Sequence, residues 1–141
     1  MAINMIPYLI FDGNAKEAIA FYEKALNAEN LGVITFGEMP EDPNYPLPAE
    51  AKDRVSHATL KVGNSDLMFS DTFPGQPYQT GNNVTICITC DDPARSKEMF
   101  AALEQGGQVN MPMMETSFSP LYGVVVDKYG VTFQIYTEHA R

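Results

Sequence analysis

One amide stands where chemistry could be done, in the segment "DKYGVTFQIY" that runs from Asp127 to Tyr136. A turn at Gly130 leads into a strand with Val131, Phe133 and Ile135 on one face and Thr132, Gln134 and Tyr136 on the other. Gln134 is therefore a solvated strand residue, a ligand-orienting amide or one arm of a metal centre. His57, in "RVSHATL", is one of only two histidines. It is either a general base or hydrogen-bonding group for a ligand, or a satisfied structural histidine. Asp71, in "FSDTFPG", either acts at a site or caps the turn that follows. Cys87 and Cys90 form C-I-T-C, but β-branched flanks predict a strand, where positions i and i+3 point to opposite faces. They read as two reduced strand cysteines, the alternative being a thiol nucleophile at Cys87 without an apparent adjacent base.

Composition limits what these residues can serve. The chain has 141 residues, enough for one domain with its own core, and 45% of them are hydrophobic. The formal net charge is −9, from eighteen acids and nine bases. Such a surface argues against nucleic acid, whose binding requires a basic face, and against an anionic membrane. No apolar run is long enough to span a bilayer, and "MAINMIPYLI" lacks the basic start and cleavage site of a signal peptide. A cytoplasmic location is the expectation.

The elements that must position the candidates follow an order that occurs twice. "YLIF" reads as a strand. "NAKEAIAFYEKAL" reads as a helix with Ala15, Ala18, Ile19, Tyr22, Ala25 and Leu26 on one stripe and Asn14 and Glu17 as a capping box. "NLGVITFGE", "RVSHATLKV" and "LMFSDTF" then give three strands. In the second half "VTICITC" is a strand, and Asp92, Pro93 and the Gly106–Gly107 pair bracket a helix. "QVNMP" and the hairpin "LYGVVVDK"–"GVTFQIY" complete three more strands. This predicts an α+β chain, a single domain over residues 1–141, made of two βαβββ modules at about 1–75 and 80–141. A proline-rich insertion at about 38–53 would serve as a lid or interface element, or as a rigid decoration. Each helix covers one face of its strands, so the two modules are expected to form a curved mixed sheet around a groove, with the helices outside.

This duplicated plan resembles the vicinal oxygen chelate superfamily of glyoxalase I, bleomycin-resistance proteins and extradiol dioxygenases. The stretches "PYLIFDGNAKEAIAFYEKAL", "VSHATLKVGNSDLMFSD" and "QVNMPMMETSFSPLYGVVVDKYGV" are similar to its PhnB-like branch, collinearly over nearly the whole chain. Some members of that branch carry a 3-demethylubiquinone methyltransferase name, although the sequence has no glycine-rich strand-to-helix turn of the kind that cradles a nucleotide-like cofactor.

In metal-dependent members, the resemblance implies, four ligands come from the first and last strands of each module. Aligning the two halves on Asn14 with Asp92 and on Asp66 with Gly130 puts Pro7, Ser70, Thr85 and Gln134 at those places. Only Gln134 suits the pattern, so the expectation is no cofactor, with a divalent metal at Gln134 as the weaker alternative. The expected groove is lined by Ser70, Asp71, Thr85, Cys87, Thr89, Thr132, Gln134 and Tyr136, with Leu9 and Met68 as apolar walls. Glu115 and Phe118 lie on its rim, and His57 is the candidate catalytic residue. With no cluster of bases, a neutral or weakly polar ligand fits better than a phosphate. Two functions compete: a small-molecule-binding protein without a catalytic metal, and a metal-dependent lyase, isomerase or dioxygenase using Gln134, His57 and a carboxylate. The partners expected are a small-molecule ligand and a second copy in a symmetric homodimer.

Overall fold

A computed structural model describes residues 2–40, 43–44, 46–73 and 75–139. The chain divides into two compact units, Met1–Gln79 and Thr80–Arg141. The first contains β1 (Tyr8–Phe11), α1 (Ala15–Ala25), β2 (Glu29–Thr35), β3 (Val55–Val62) and β4 (Ser65–Asp71). The second contains β5 (Ile86–Cys90), α2 (Pro93–Glu104), β6 (Gln108–Met114), β7 (Leu121–Val126) and β8 (Thr132–Thr137). Each unit holds one four-stranded mixed sheet, in the orders β1-β4-β3-β2 and β5-β8-β7-β6. The parallel pairs are β1 with β4 and β5 with β8; the helix supplies the crossover that such pairs require.

In the first unit, α1 lies against β3 and β4. Its stripe of Ala15, Ala18, Ile19, Tyr22, Ala25 and Leu26 is buried, as the 3.6-residue period predicts. Tyr22 stacks on Phe69 of β4 at 5.8 Å, and Phe11 of β1 lies 6.2 Å from the same ring. Burial of each such ring contributes roughly 1.5–3 kcal/mol. In the second unit, α2 packs on β7 and β8. Phe133 and Ile135 are fully buried there with Val125 and Leu103.

The two helices start differently. Asp92 caps α2 by accepting from the Ala94 N–H at 3.0 Å, with Pro93 as the first helical residue. Asn14 makes no side-chain cap for α1. The acceptor comes from Asp71 at the end of β4, whose Oδ1 takes the N–H groups of Gly13 (2.8 Å) and Ala15 (3.0 Å). Its Oδ2 takes the Val55 N–H at 2.9 Å. One buried carboxylate thus ties the β1–α1 turn to the entry of β3. Gly13 sits at φ +97°, and the backbone direction this permits aims its N–H at that carboxylate.

A second acid works beside it. Arg54 Nη1 donates to Asp12 Oδ1 at 3.2 Å and to the Thr72 carbonyl at 3.0 Å, while the Thr72 hydroxyl donates to Asp12 at 2.9 Å. The Thr72 hydroxyl, and after it Arg54, hold the Asp12 carboxyl below the usual carboxylate range. A depressed folded pKa gives stability that is complete above the unfolded value and lost as pH falls through the folded one. The acid limb of the stability curve, below about pH 4, is therefore expected to be shallower in Asp12→Asn. Urea midpoints across that range check this, and an unchanged acid limb in the variant would count against it.

Candidate functional site

The strand ending at Thr137 alternates as its sequence requires: Phe133, Ile135 and Thr137 are buried on the α2 side, and Thr132, Gln134 and Tyr136 are half-buried on the open side. Gln134 lies opposite Cys87 of β5 and Val124 of β7. Its amide is engaged at both ends. The Tyr122 hydroxyl donates to Oε1 at 2.6 Å, and Nε2 donates to Thr85 Oγ1 at 2.9 Å. Gln134 thus bridges the strand on one side to the entry of the strand on the other.

Three rings continue this face. Tyr122 and Tyr136 are cross-strand partners and meet edge to face at 6.2 Å. Phe118 stacks on Tyr136 at 5.6 Å and meets Tyr122 edge-on at 4.9 Å. Phe118 belongs to the turn before β7, where the Thr116 hydroxyl accepts the Ser119 N–H at 3.1 Å. The Tyr136 hydroxyl donates to the Phe118 carbonyl at 2.8 Å, and Phe118 itself stays 46% exposed. Aromatic contacts of this geometry add roughly 0.5–1.5 kcal/mol beyond their area.

Cys87 and Tyr122 share this face, and both hold their protons more tightly than usual. Burial pushes the Cys87 thiol up. Burial, and after it the neighbouring Cys87, push the Tyr122 phenol up. A thiol raised by burial is the opposite of an activated nucleophile. Cys90 is turned to the other side of the strand and donates to the Asp92 carbonyl at 3.4 Å, so the C-I-T-C spacing forms no common site.

In the first unit, the open face carries His57, Thr59 and Met68. The Tyr8 hydroxyl lies 3.0 Å from His57 Nδ1, and Thr59 Oγ1 lies 3.3 Å from Nε2. Both ring nitrogens of the candidate base are thereby occupied, and neither partner is a carboxylate. Ser70 lies opposite Ile10 on that same open side.

Three expectations need correction. Asp71 does not line an open face: it is 4% exposed, with both oxygens taken by backbone N–H groups. Leu9 is not a wall of the open side, because it pairs with buried Phe69, while its neighbours Tyr8 and Ile10 are exposed. The internal alignment also slips. The Thr72 N–H bonds Phe11 O where β4 ends, and the Glu138 N–H bonds Cys90 O where β8 ends. Equating Thr72 with Glu138 and counting back four residues along each strand makes Met68, not Ser70, the counterpart of Gln134. Equating Phe11 with Cys90 likewise makes Tyr8 the counterpart of Cys87, and Ile6 rather than Pro7 that of Thr85. Turn length explains the slip at Ser70, since Val62 pairs with Ser65 across two residues but Val126 pairs with Thr132 across five. The slip at Pro7 comes from the extra residue between Phe11 and Asn14 compared with Cys90 and Asp92.

The residues do not fit a divalent ion. The oxygen of Gln134, its only ligating atom, already accepts from Tyr122. Thr85 offers a hydroxyl, and Met68 and Ile6 offer no hard donor. Among the described residues, no group of three His, Cys, Asp or Glu side chains is placed to hold a metal. Reading the sequence did not single out Tyr122 or Tyr8. The signal for Tyr122 was available, since the alternation of "LYGVVV" puts it beside Tyr136 on the strand paired with β8.

Comparison with known proteins agrees with this architecture. The family described as 3-demethylubiquinone-9 3-methyltransferase matches residues 3–136. Protein YjdN of Escherichia coli is 35% identical over 136 residues, covering 92% of this chain and 91% of its own. The crystal structure of PA1353 from Pseudomonas aeruginosa superposes with a TM-score of 0.87 at 34% identity, over 99% of this chain and 100% of that one. The PhnB protein from Bacillus cereus, described as a putative 3-demethylubiquinone-9 3-methyltransferase, gives 0.76 at 26% identity, over 96% and 99%. No helix among the described residues is long and apolar enough to cross a membrane. The fold is the α+β fold of the glyoxalase and bleomycin-resistance proteins, and the chain belongs to the PhnB-like family of the vicinal oxygen chelate superfamily.

Proposed function

We propose that the protein binds a neutral or weakly polar small molecule on the open face of its second sheet, without a catalytic metal. The observation that carries this reading is the clamped amide of Gln134, set beside the partly exposed rings of Phe118, Tyr122 and Tyr136. Rings that are held in place, with a few fixed polar atoms next to them, favour a ligand with a flat apolar body. The arginines do not make an anion clamp: Arg54 is bonded to Asp12 and Thr72, and Arg95 lies 3.6 Å from Glu98. Arg141 lies outside the described residues. His57, tied to Tyr8 and Thr59, serves in this reading to shape the first unit's open face rather than as a base.

Saturation-transfer NMR with a set of planar aromatic fragments tests the proposal. Saturable binding that Phe118→Ala weakens would support it. Fragment binding indifferent to Phe118→Ala would contradict it. About one equivalent of a divalent metal per chain, lost in Gln134→Ala, would favour the metal-dependent lyase, isomerase or dioxygenase instead.

The same reading includes a symmetric homodimer. Ile3, Met5, Ile10, Leu31 and Ile34 of the first unit are 80%, 97%, 47%, 52% and 48% exposed, which leaves apolar side chains of this unit in water. A second copy of the same chain would cover them at a self-complementary contact. Light scattering is expected to give twice the 15.6 kDa chain mass. A single-chain mass over a wide concentration range would remove the dimer.

A further inference from the structure

We propose that Gln134 fixes the open face of the second sheet as a hydrogen-bond donor, so that it selects planar aromatic molecules carrying a neutral acceptor such as a carbonyl. This rests on the proposed binding face and names its ligand class.

The direction of the bridge follows from its two lengths. The Tyr122–Gln134 contact of 2.6 Å suits O–H···O, and the Gln134–Thr85 contact of 2.9 Å suits N–H···O. Turning the amide over would put an N–H donor at 2.6 Å, too short for that pair. The Tyr122 proton is therefore committed to Oε1, and burial keeps that phenol protonated. Thr85 has accepted from Nε2, and its own hydroxyl proton is left to give. Thr85 is exposed at the entry to β5. The face therefore presents an outward O–H, separated by the width of Gln134 and the tyrosine ring from the aromatic platform at Phe118. Cys87, still protonated, adds only a weak donor. No cation stands in this chain of contacts, so a carbonyl, ether or ring nitrogen suits it better than a carboxylate, which would lose its hydration for a single neutral donor.

Gln134→Glu reverses the polarity while nearly conserving shape. A carboxylate accepts from both hydroxyls, so Thr85 turns its proton inward and shows only lone pairs outward. Calorimetric titration with 2-acetylnaphthalene and with 2-isopropenylnaphthalene, which replaces the carbonyl oxygen by CH₂, reads this out. The wild-type protein is expected to prefer the ketone about fivefold to tenfold, the range of one neutral hydrogen bond. In Gln134→Glu, and independently in Thr85→Val, the two probes are expected to bind alike. Equal binding of both probes by the wild type, or the same ketone preference in both variants, would overturn the donor assignment while leaving the binding face standing. Binding of neither probe by the wild type would overturn the binding face itself, and the inference with it.

Discussion

Asp71→Ala is expected to destabilise the protein by about 3–4 kcal/mol. The side chain accepts three backbone N–H bonds, from Gly13, Ala15 and Val55, at 2.8, 3.0 and 2.9 Å. Alanine removes all three acceptors at once from a site that is 4% exposed. A hydrogen bond to a charged group contributes roughly 1.5–3 kcal/mol, and a buried donor left unmade costs about 1–3 kcal/mol. Water reaching part of the emptied space offsets some of that sum. Two of the three donors also belong to the start of α1, where the helix dipole favours a negative charge. Asp71→Asn keeps one acceptor oxygen but replaces the other by a donor facing N–H groups, so it should fall between alanine and wild type. Urea unfolding followed by circular dichroism gives the difference. An alanine variant within about 1 kcal/mol of wild type would mean the carboxylate is not the tie described.

Gln134→Leu should leave the fold intact and act on the open face. The Tyr122 hydroxyl and Thr85 lose their shared partner, which costs roughly 1 kcal/mol of stability because both can turn partly to water. Binding of a planar acceptor probe should weaken by roughly 1 kcal/mol, the worth of one neutral hydrogen bond, as Thr85 is no longer held in its donating orientation. The coupling can be separated from general damage. Tyr122→Phe removes the same bond from the other end, so the double variant should cost less than the sum of the singles. Strictly additive losses would show that Tyr122 and Gln134 do not act as a pair.

Much of the fold was legible because its signals are periodic. The α1 stripe reads at 3.6 residues per turn, and β8 reads at a period of two. Those two periods alone place Gln134 and Tyr136 away from the helix. The C-I-T-C pair was also legible as a strand, since β-branched neighbours and alternation forbid a shared site. What failed depended on contacts distant in sequence or on counting across turns. Asn14 looked like the cap of α1, yet the acceptor comes from Asp71, more than fifty residues further along the chain. No local pattern announces such a substitution of caps. Equating Ser70 with Gln134 went wrong because a two-residue turn and a five-residue turn look alike as glycine-bearing landmarks. Tyr122 escaped notice for a different reason. Its role arises from a side chain leaning from its own cross-strand row, opposite Tyr136, to the diagonal neighbour Gln134, a reach that strand pairing allows but alternation within one strand does not announce.

The central claim is that the open face of the second sheet is the ligand site, and side-chain NMR tests it most directly. Titration of 2-acetylnaphthalene into isotope-labelled protein should shift the Gln134 side-chain amide together with the ring signals of Phe118, Tyr122 and Tyr136, saturably and with one common affinity. The Tyr8 and His57 ring signals of the first unit should move far less. Shifts centred on Tyr8 and His57, or a Gln134 amide that does not move while the probe saturates elsewhere, would contradict the account.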